Sequence, residues 1–119
     1  MEKVTGIGGL FFRSKQIEKL SKWYQDILGI DALPNIWMQQ AGPTVLTPFP
    51  ADTDYFGDDK QQWMINFRVN DLEKMIQQLK SHNIEVETKP EWDSEVGKFA
   101  RIHDPDGNPI ELWEPTPRK

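Results

Sequence analysis

The sequence predicts an α+β fold of two related halves: a curved mixed sheet around a cleft, with helices on its outer face. Three observations predict it. The nine residues Phe12 to Leu20 return as Phe67 to Met75 at a constant offset of 55, with four positions identical and Ile17/Leu72 and Leu20/Met75 apolar in both copies. In each copy an apolar run leads into a polar cap and then a helical pattern. Each helical pattern is followed by short strand-like runs broken by turn-forming residues. Two half-folds set side by side enclose a cleft, which is where a small molecule would bind. The first half with its linker spans residues 1–57 and the second 58–119, together one domain.

In chain order, Val4 to Arg13 reads as a strand with two glycines in its middle, and Ser14 as the N-cap of the helix that follows. That helix places Ile17, Leu20, Trp23, Tyr24 and Ile27 on one core-facing stripe. Gly29 stands where a left-handed residue ends a helix. Asp31 to Asn35 is a loop holding Pro34, and Ile36 to Gln40 and Thr44 to Thr47 are two short strands turned by Ala41-Gly42-Pro43. Pro48 to Lys60, rich in Pro, Asp and Gly, is the linker. It carries Tyr55-Phe56, an aromatic pair with two readings: a lid over the cleft, or a contact with a second chain.

The second half repeats the order. Trp63 to Val69 alternates as a strand does, and Asn70 with Glu73 forms a capping-box pair. Leu72, Met75, Ile76 and Leu79 make the helix stripe, with Asn83 as C-cap. Ile84 to Thr88 is a strand and Lys89 to Gly97 a polar loop. Phe99 to His103 and Pro109 to Glu114 close the half as a hairpin.

Composition narrows the function classes. The net charge of −5, with both signs interspersed, lacks the clustered basic face that nucleic acid requires. Without Cys there is no disulfide framework, thiolate metal site or Cys nucleophile. No apolar run approaches the roughly 18 residues of a membrane span, so neither a membrane nor nucleic acid is an expected partner and the expected location is the cytoplasm. Five Trp is high for 119 residues, and some of them are candidates for the walls of a cleft.

The turn Asp104-Pro105-Asp106-Gly107-Asn108 followed by Pro109-Ile110-Glu111-Leu112 ends the second repeated unit. With the opening Gly6-Ile7-Gly8-Gly9-Leu10-Phe11-Phe12, it resembles the vicinal oxygen chelate superfamily, which holds glyoxalase I, extradiol dioxygenases, fosfomycin-resistance enzymes and bleomycin-resistance proteins. The resemblance implies two βαβββ modules. It also implies a divalent ion held in the cleft by a residue from the first and the last strand of each module. Carried over, those positions are Gly9, Met64, Leu46 or Thr47, and Glu111. Only Glu111 is a good ligand, whereas zinc, iron or nickel needs about three N, O or S side chains. The expectation is therefore no tightly bound metal. The alternative is a divalent Zn, Ni, Mn or Fe in an unorthodox site built from Asn66, Glu111, His103 and a displaced Asp.

If the positions matched by that resemblance face the cleft, strand alternation brings others with them. Phe11 and Arg13 accompany Gly9; Asn66 and Arg68 accompany Met64; Trp113 accompanies Glu111. Arg101 and His103 share one parity on the neighbouring strand. Aromatic walls with several guanidiniums suit a small organic ligand bearing a carboxylate or other anion. Plainer readings stand beside these. Arg13 and Arg68 lie at strand ends, Arg101 and Glu111 are placed to pair across the hairpin, Trp113 suits a core or dimer contact, and His103 suits an exposed position.

Two functions follow. One is a binding module, similar to the bleomycin-resistance proteins, that holds a small aromatic or anionic molecule. The other is a glyoxalase-like lyase, isomerase or dioxygenase in which Glu111 is the catalytic base on a proton beside a carbonyl and an arginine stabilises the developing enolate. Exposed sheet edges favour a homodimer, with modules paired within or between chains.

Overall fold

The computed structural model describes residues 1–30 and 36–117. The loop expected over 31–35 lies outside them. Helix α1 spans Ile17–Leu28 and α2 spans Leu72–Ser81. Three strands, β1 (Ile65–Arg68), β2 (Gly97–His103) and β3 (Pro109–Pro115), form a mixed sheet in the order β1-β3-β2. Central β3 pairs parallel with β1 and antiparallel with β2.

The internal repeat is visible in the helices. Their first residues, Ile17 and Leu72, keep the 55-residue spacing, as do the N-cap residues Gln16 and Asp71. Both caps lie deeper in the sequence than the capping residues expected. Asp71, not Asn70, caps α2, and its carboxylate accepts from the Lys74 N–H at 3.0 Å. Ser14 caps no helix; its hydroxyl accepts from the Gln16 N–H at 3.0 Å. An Asx or Ser side chain can hold a turn one or two residues ahead of a helix as readily as the helix itself, so residue type alone misses the register. Gly29 ends α1 at φ 75, with its N–H on the Gln25 carbonyl at 3.1 Å. Asn83 also takes a positive φ, of 61, but one residue past the C-cap His82.

The helices cover one face of the sheet. Leu20, Tyr24, Leu72 and Leu79 share a core with Ala100, Ile102, Ile110 and Leu112, and Ile65 and Phe67 pack against it. Alternation turns the other side chains of these strands to the opposite face, where Asn66, Arg101 and Glu111 stand side by side in the ladder. The closing turn is tied to α1 through one buried carboxylate. Asp104 accepts from the Asp106 and Asn108 N–H groups at 2.9 Å, from Asn108 Nδ2 at 2.8 Å and from the Tyr24 hydroxyl at 2.7 Å. Tyr24 is therefore a core residue with a polar tip.

The first half corrects the sequence reading. Strands expected over 4–13, 36–40 and 44–47 do not form. The physical reason is the lack of a partner: these segments find no ladder in the single chain, and Val4, Phe11, Met38 and Leu46 stay more than four-fifths exposed. The strand expected over 84–88 reduces to one bridge, in which Glu87 and Arg101 exchange backbone hydrogen bonds of 2.9 and 2.8 Å. The linker, by contrast, is ordered. Three successive turns, closed by Thr53 N–H on Pro50, Gly57 N–H on Asp54 and Gln61 N–H on Asp58, fold it back toward the sheet.

Candidate functional site

The site is built on the face of the sheet away from the helices. In the β2–β3 ladder Arg101 lies opposite Glu111, and in the β1–β3 ladder Asn66 lies beside it. Asn66 Nδ2 donates to Glu111 Oε1 at 2.7 Å. The other carboxylate oxygen accepts from the hydroxyl of Tyr55, which the linker turns deliver to the sheet. Tyr55 also lays its ring over Arg101, with Cζ 4.4 Å from the ring centroid.

Two more aromatics complete the cage. The loop over 89–97 contains a short 3-10 turn, Pro90–Trp92, which brings Trp92 to 5.4 Å from Arg101 Cζ and edge-on to Tyr55 at 5.9 Å. Phe49 stacks on Tyr55 at 5.9 Å, 19° from parallel. The cation over these π faces gains about 0.5–2 kcal/mol per ring. Arg101 is only 7% exposed, and its Nε and Nη2 are buried without a hydrogen-bond partner among the described residues. A buried guanidinium edge without an acceptor carries a large desolvation cost. Tyr55 is affected by the same surroundings: burial first, then the Glu111 carboxylate, push its hydroxyl up to about 12 against the opposing pull of Arg101. The phenol is thus neutral and a donor at physiological pH.

The other residues expected in the site fall differently. Trp113 shares the face of Glu111, but it is buried, stacked on Phe99 at 6.1 Å, and its Nε1 donates to the Val96 carbonyl at 3.0 Å. It forms a wall rather than an open contact surface. Arg68 turns to the first half, donating from Nη2 to the Gln40 carbonyl at 3.1 Å and lying against Gly42. Arg13 and His103 are exposed, and Phe11 is 93% exposed. None of these three joins the Arg101–Tyr55–Glu111 cluster among the described residues. Trp92 and Phe49 were missed by sequence reasoning. Their one signal was an aromatic in each of two otherwise polar, turn-rich stretches, the same signal that marks Tyr55.

A hollow of about 500 Å³ lies beside the linker, bordered by Phe49, Phe56, Trp63 and Met64 among others; neither Arg101 nor Glu111 lines it. The donors at the family's metal positions do not fit a divalent transition ion. Glu111 supplies one carboxylate whose two oxygens are already bonded to Tyr55 and Asn66, and Gly9 and Met64 add no N or O side-chain donor. Among the described residues, no three His, Asp or Glu side chains gather in one place. No helix there is long and apolar enough to cross a membrane.

A mixed sheet with helices on one face and a polar cluster caged by aromatics on the other is an α+β architecture. Comparison with known proteins places it more closely. Residues 6–112 match the family model described as Glyoxalase/Bleomycin resistance protein/Dioxygenase superfamily, and the chain belongs to that superfamily. No match was found among curated proteins. Among solved structures, the chain resembles the crystal structure of TnmS3, an antibiotic binding protein from Streptomyces sp. CB03234. The likeness has a TM-score of 0.61 at 23% identity and covers 98% of this chain and 100% of that one, which makes it a likeness of fold.

Proposed function

We propose that the chain binds a small aromatic molecule bearing an anionic or strongly accepting group, on the sheet face that carries Arg101 and Glu111, without a tightly held metal ion. One observation carries the reading: Arg101 is buried among aromatic rings with Nε and Nη2 unpaired among the described residues. A guanidinium edge matches a carboxylate in geometry as well as charge, and its buried, unpaired state is costly unless a ligand completes it. The family's bleomycin-resistance branch and the antibiotic-binding neighbour support a binding role.

The second reading, a glyoxalase-like reaction with Glu111 as base, is less well supported. Each carboxylate oxygen already accepts one hydrogen bond, so only its remaining lone pair is open to a substrate proton. The exposed apolar side chains of the first half, Val4, Phe11 and Leu46 among them, support a homodimer in which a second copy covers these segments.

The test is calorimetric titration with aromatic carboxylates and aromatic antibiotics, using the wild-type chain and an Arg101→Met variant. A saturable ligand that loses at least ~10-fold in affinity in the variant supports the reading. Equal affinity for both proteins removes Arg101 from the site. A parallel thermal-shift series with zinc, nickel, manganese and iron checks the metal state, and a large stabilisation by one ion would restore the metal-dependent alternative.

A further inference from the structure

We infer that Tyr55 is a built-in stand-in for the ligand, and that the molecule which displaces it is a hydroxylated aromatic acid: a planar ring with a hydrogen-bond donor at one edge and a carboxylate at another. This rests on the proposed binding reading and gives it a ligand class and a mode of entry.

Tyr55 meets the requirements of a ligand rather than those of a core residue. It arrives from a segment of turns, not from a helix or strand. Its ring lies over the Arg101 guanidinium, meets the Trp92 ring at 77° and stacks on Phe49, and its hydroxyl donates to Glu111. A ring against a guanidinium and a stacking aromatic, with its donor directed at a fixed carboxylate, forms a recognition pattern for a phenol. The stand-in is incomplete in one respect. Tyr55 lays its ring over Arg101, and among the described residues Nε and Nη2 remain without an acceptor. A ligand with the same phenol and an added carboxylate satisfies both Glu111 and Arg101.

The path by which Tyr55 yields is local. The side chain hangs from a segment whose backbone is held by single turn hydrogen bonds, and the hollow bordered by Phe49 and Phe56 lies next to it. Displacement therefore needs rearrangement of the linker, not of the sheet. The displaced side chain competes with the ligand, so the apparent affinity of the wild-type chain is the intrinsic affinity reduced by the fraction of molecules with Tyr55 out.

The experiment titrates the wild-type chain, Tyr55→Ala and Tyr55→Phe with the hydroxybenzoates, and with benzoate and phenol as comparators that carry only one of the two groups. Binding is followed by calorimetry and by chemical shifts of the Tyr55 ring where it is present. At least one hydroxybenzoate is expected to bind Tyr55→Ala at least ~10-fold more tightly than wild type. It is also expected to bind Tyr55→Ala more tightly than either benzoate or phenol does. Tyr55→Phe, which retains the ring and loses only the donor to Glu111, is expected to fall between and guards against an unfolded Ala variant. Saturation of the wild-type chain should shift the Tyr55 ring signals. Equal affinity across the three proteins would overturn the stand-in while leaving the binding reading intact. Phenol binding Tyr55→Ala as tightly as the hydroxybenzoates would overturn the carboxylate requirement. No binding of any of these acids to any of the proteins would overturn the hydroxylated-acid ligand class, while the binding reading stands or falls on the aromatic antibiotics and Arg101→Met.

Discussion

Arg101 and Glu111 are direct neighbours across the β2–β3 ladder and yet form no ion pair among the described residues; Tyr55 joins them instead, with its ring on the guanidinium and its hydroxyl on the carboxylate. A direct pair would satisfy both charges and close the site. Inserting a phenol keeps the charges apart and leaves one edge of the guanidinium unpaired among the described residues. That arrangement suits exchange of the inserted group for another more than it suits stability.

Stability and binding are therefore expected to move in opposite directions at Arg101. Arg101→Met keeps an unbranched stem against the rings and removes the charge. The free energy of unfolding is expected to be unchanged or to rise by about 1–2 kcal/mol, because a buried unpaired charge is lost. Urea unfolding measures it. A loss of stability larger than about 2 kcal/mol would show that the guanidinium holds the fold together.

Alkaline titration reads the two tyrosines, the only ones in the chain. Tyr24 is raised above its ordinary value by burial first and then by its hydrogen bond to Asp104, and Tyr55 is raised to about 12. In both, the fold favours the neutral phenol. The resulting stability is present below the unfolded value near 10 and is lost as pH rises through the folded values. Tyrosinate absorbance should stay low past pH 10 and then rise with unfolding. Normal titration of one tyrosine near pH 10 in the folded protein would place Tyr55 outside the cage.

How much of this was legible in the sequence follows from the range of the contacts. The core-facing stripes of α1 and α2, the split of Ile65 and Phe67 from Asn66, and the closing hairpin depend on local periodicity and turn chemistry, and they were readable, whereas the helix caps were placed one or two residues early. So was the Asp104 turn, though its bond to Tyr24, 80 residues away in sequence, was not. Tyr55 meets Glu111 across 56 residues through three linker turns, and no periodicity encodes that. The first-half strands failed for a related reason. Apolar alternation shows that a segment fits a sheet, not that a partner strand exists in the same chain.

Gly97 fixes one wall of the site. It opens β2 at φ 144, where an added Cβ would also run into the Glu114 carbonyl and Trp113 Nε1. Gly97→Ala should cost about 2–3 kcal/mol in urea unfolding and displace Trp113, with a change in its fluorescence. A variant as stable as wild type would mean that the loop before β2 relaxes freely.

Sedimentation equilibrium checks the second copy. The exposed Val4, Phe11, Met38 and Leu46 are expected to be covered in a dimer, so the mass should be that of two chains and the unfolding midpoint should rise with protein concentration. A monomer at every concentration would leave the first half to be covered by another part of the same chain.

The most direct measurement of the central claim is side-chain NMR of the arginines during titration with a hydroxylated aromatic acid. The chain has Arg13, Arg68, Arg101 and Arg118, so the Nε–H signals can be assigned by single substitution. The account predicts that the Arg101 Nε–H signal shifts saturably as its unpaired edge gains a carboxylate, while Arg13 and Arg68 stay where they were. A bound acid that leaves Arg101 unmoved, or shifts Arg13 or Arg68 instead, would contradict the assignment of the site.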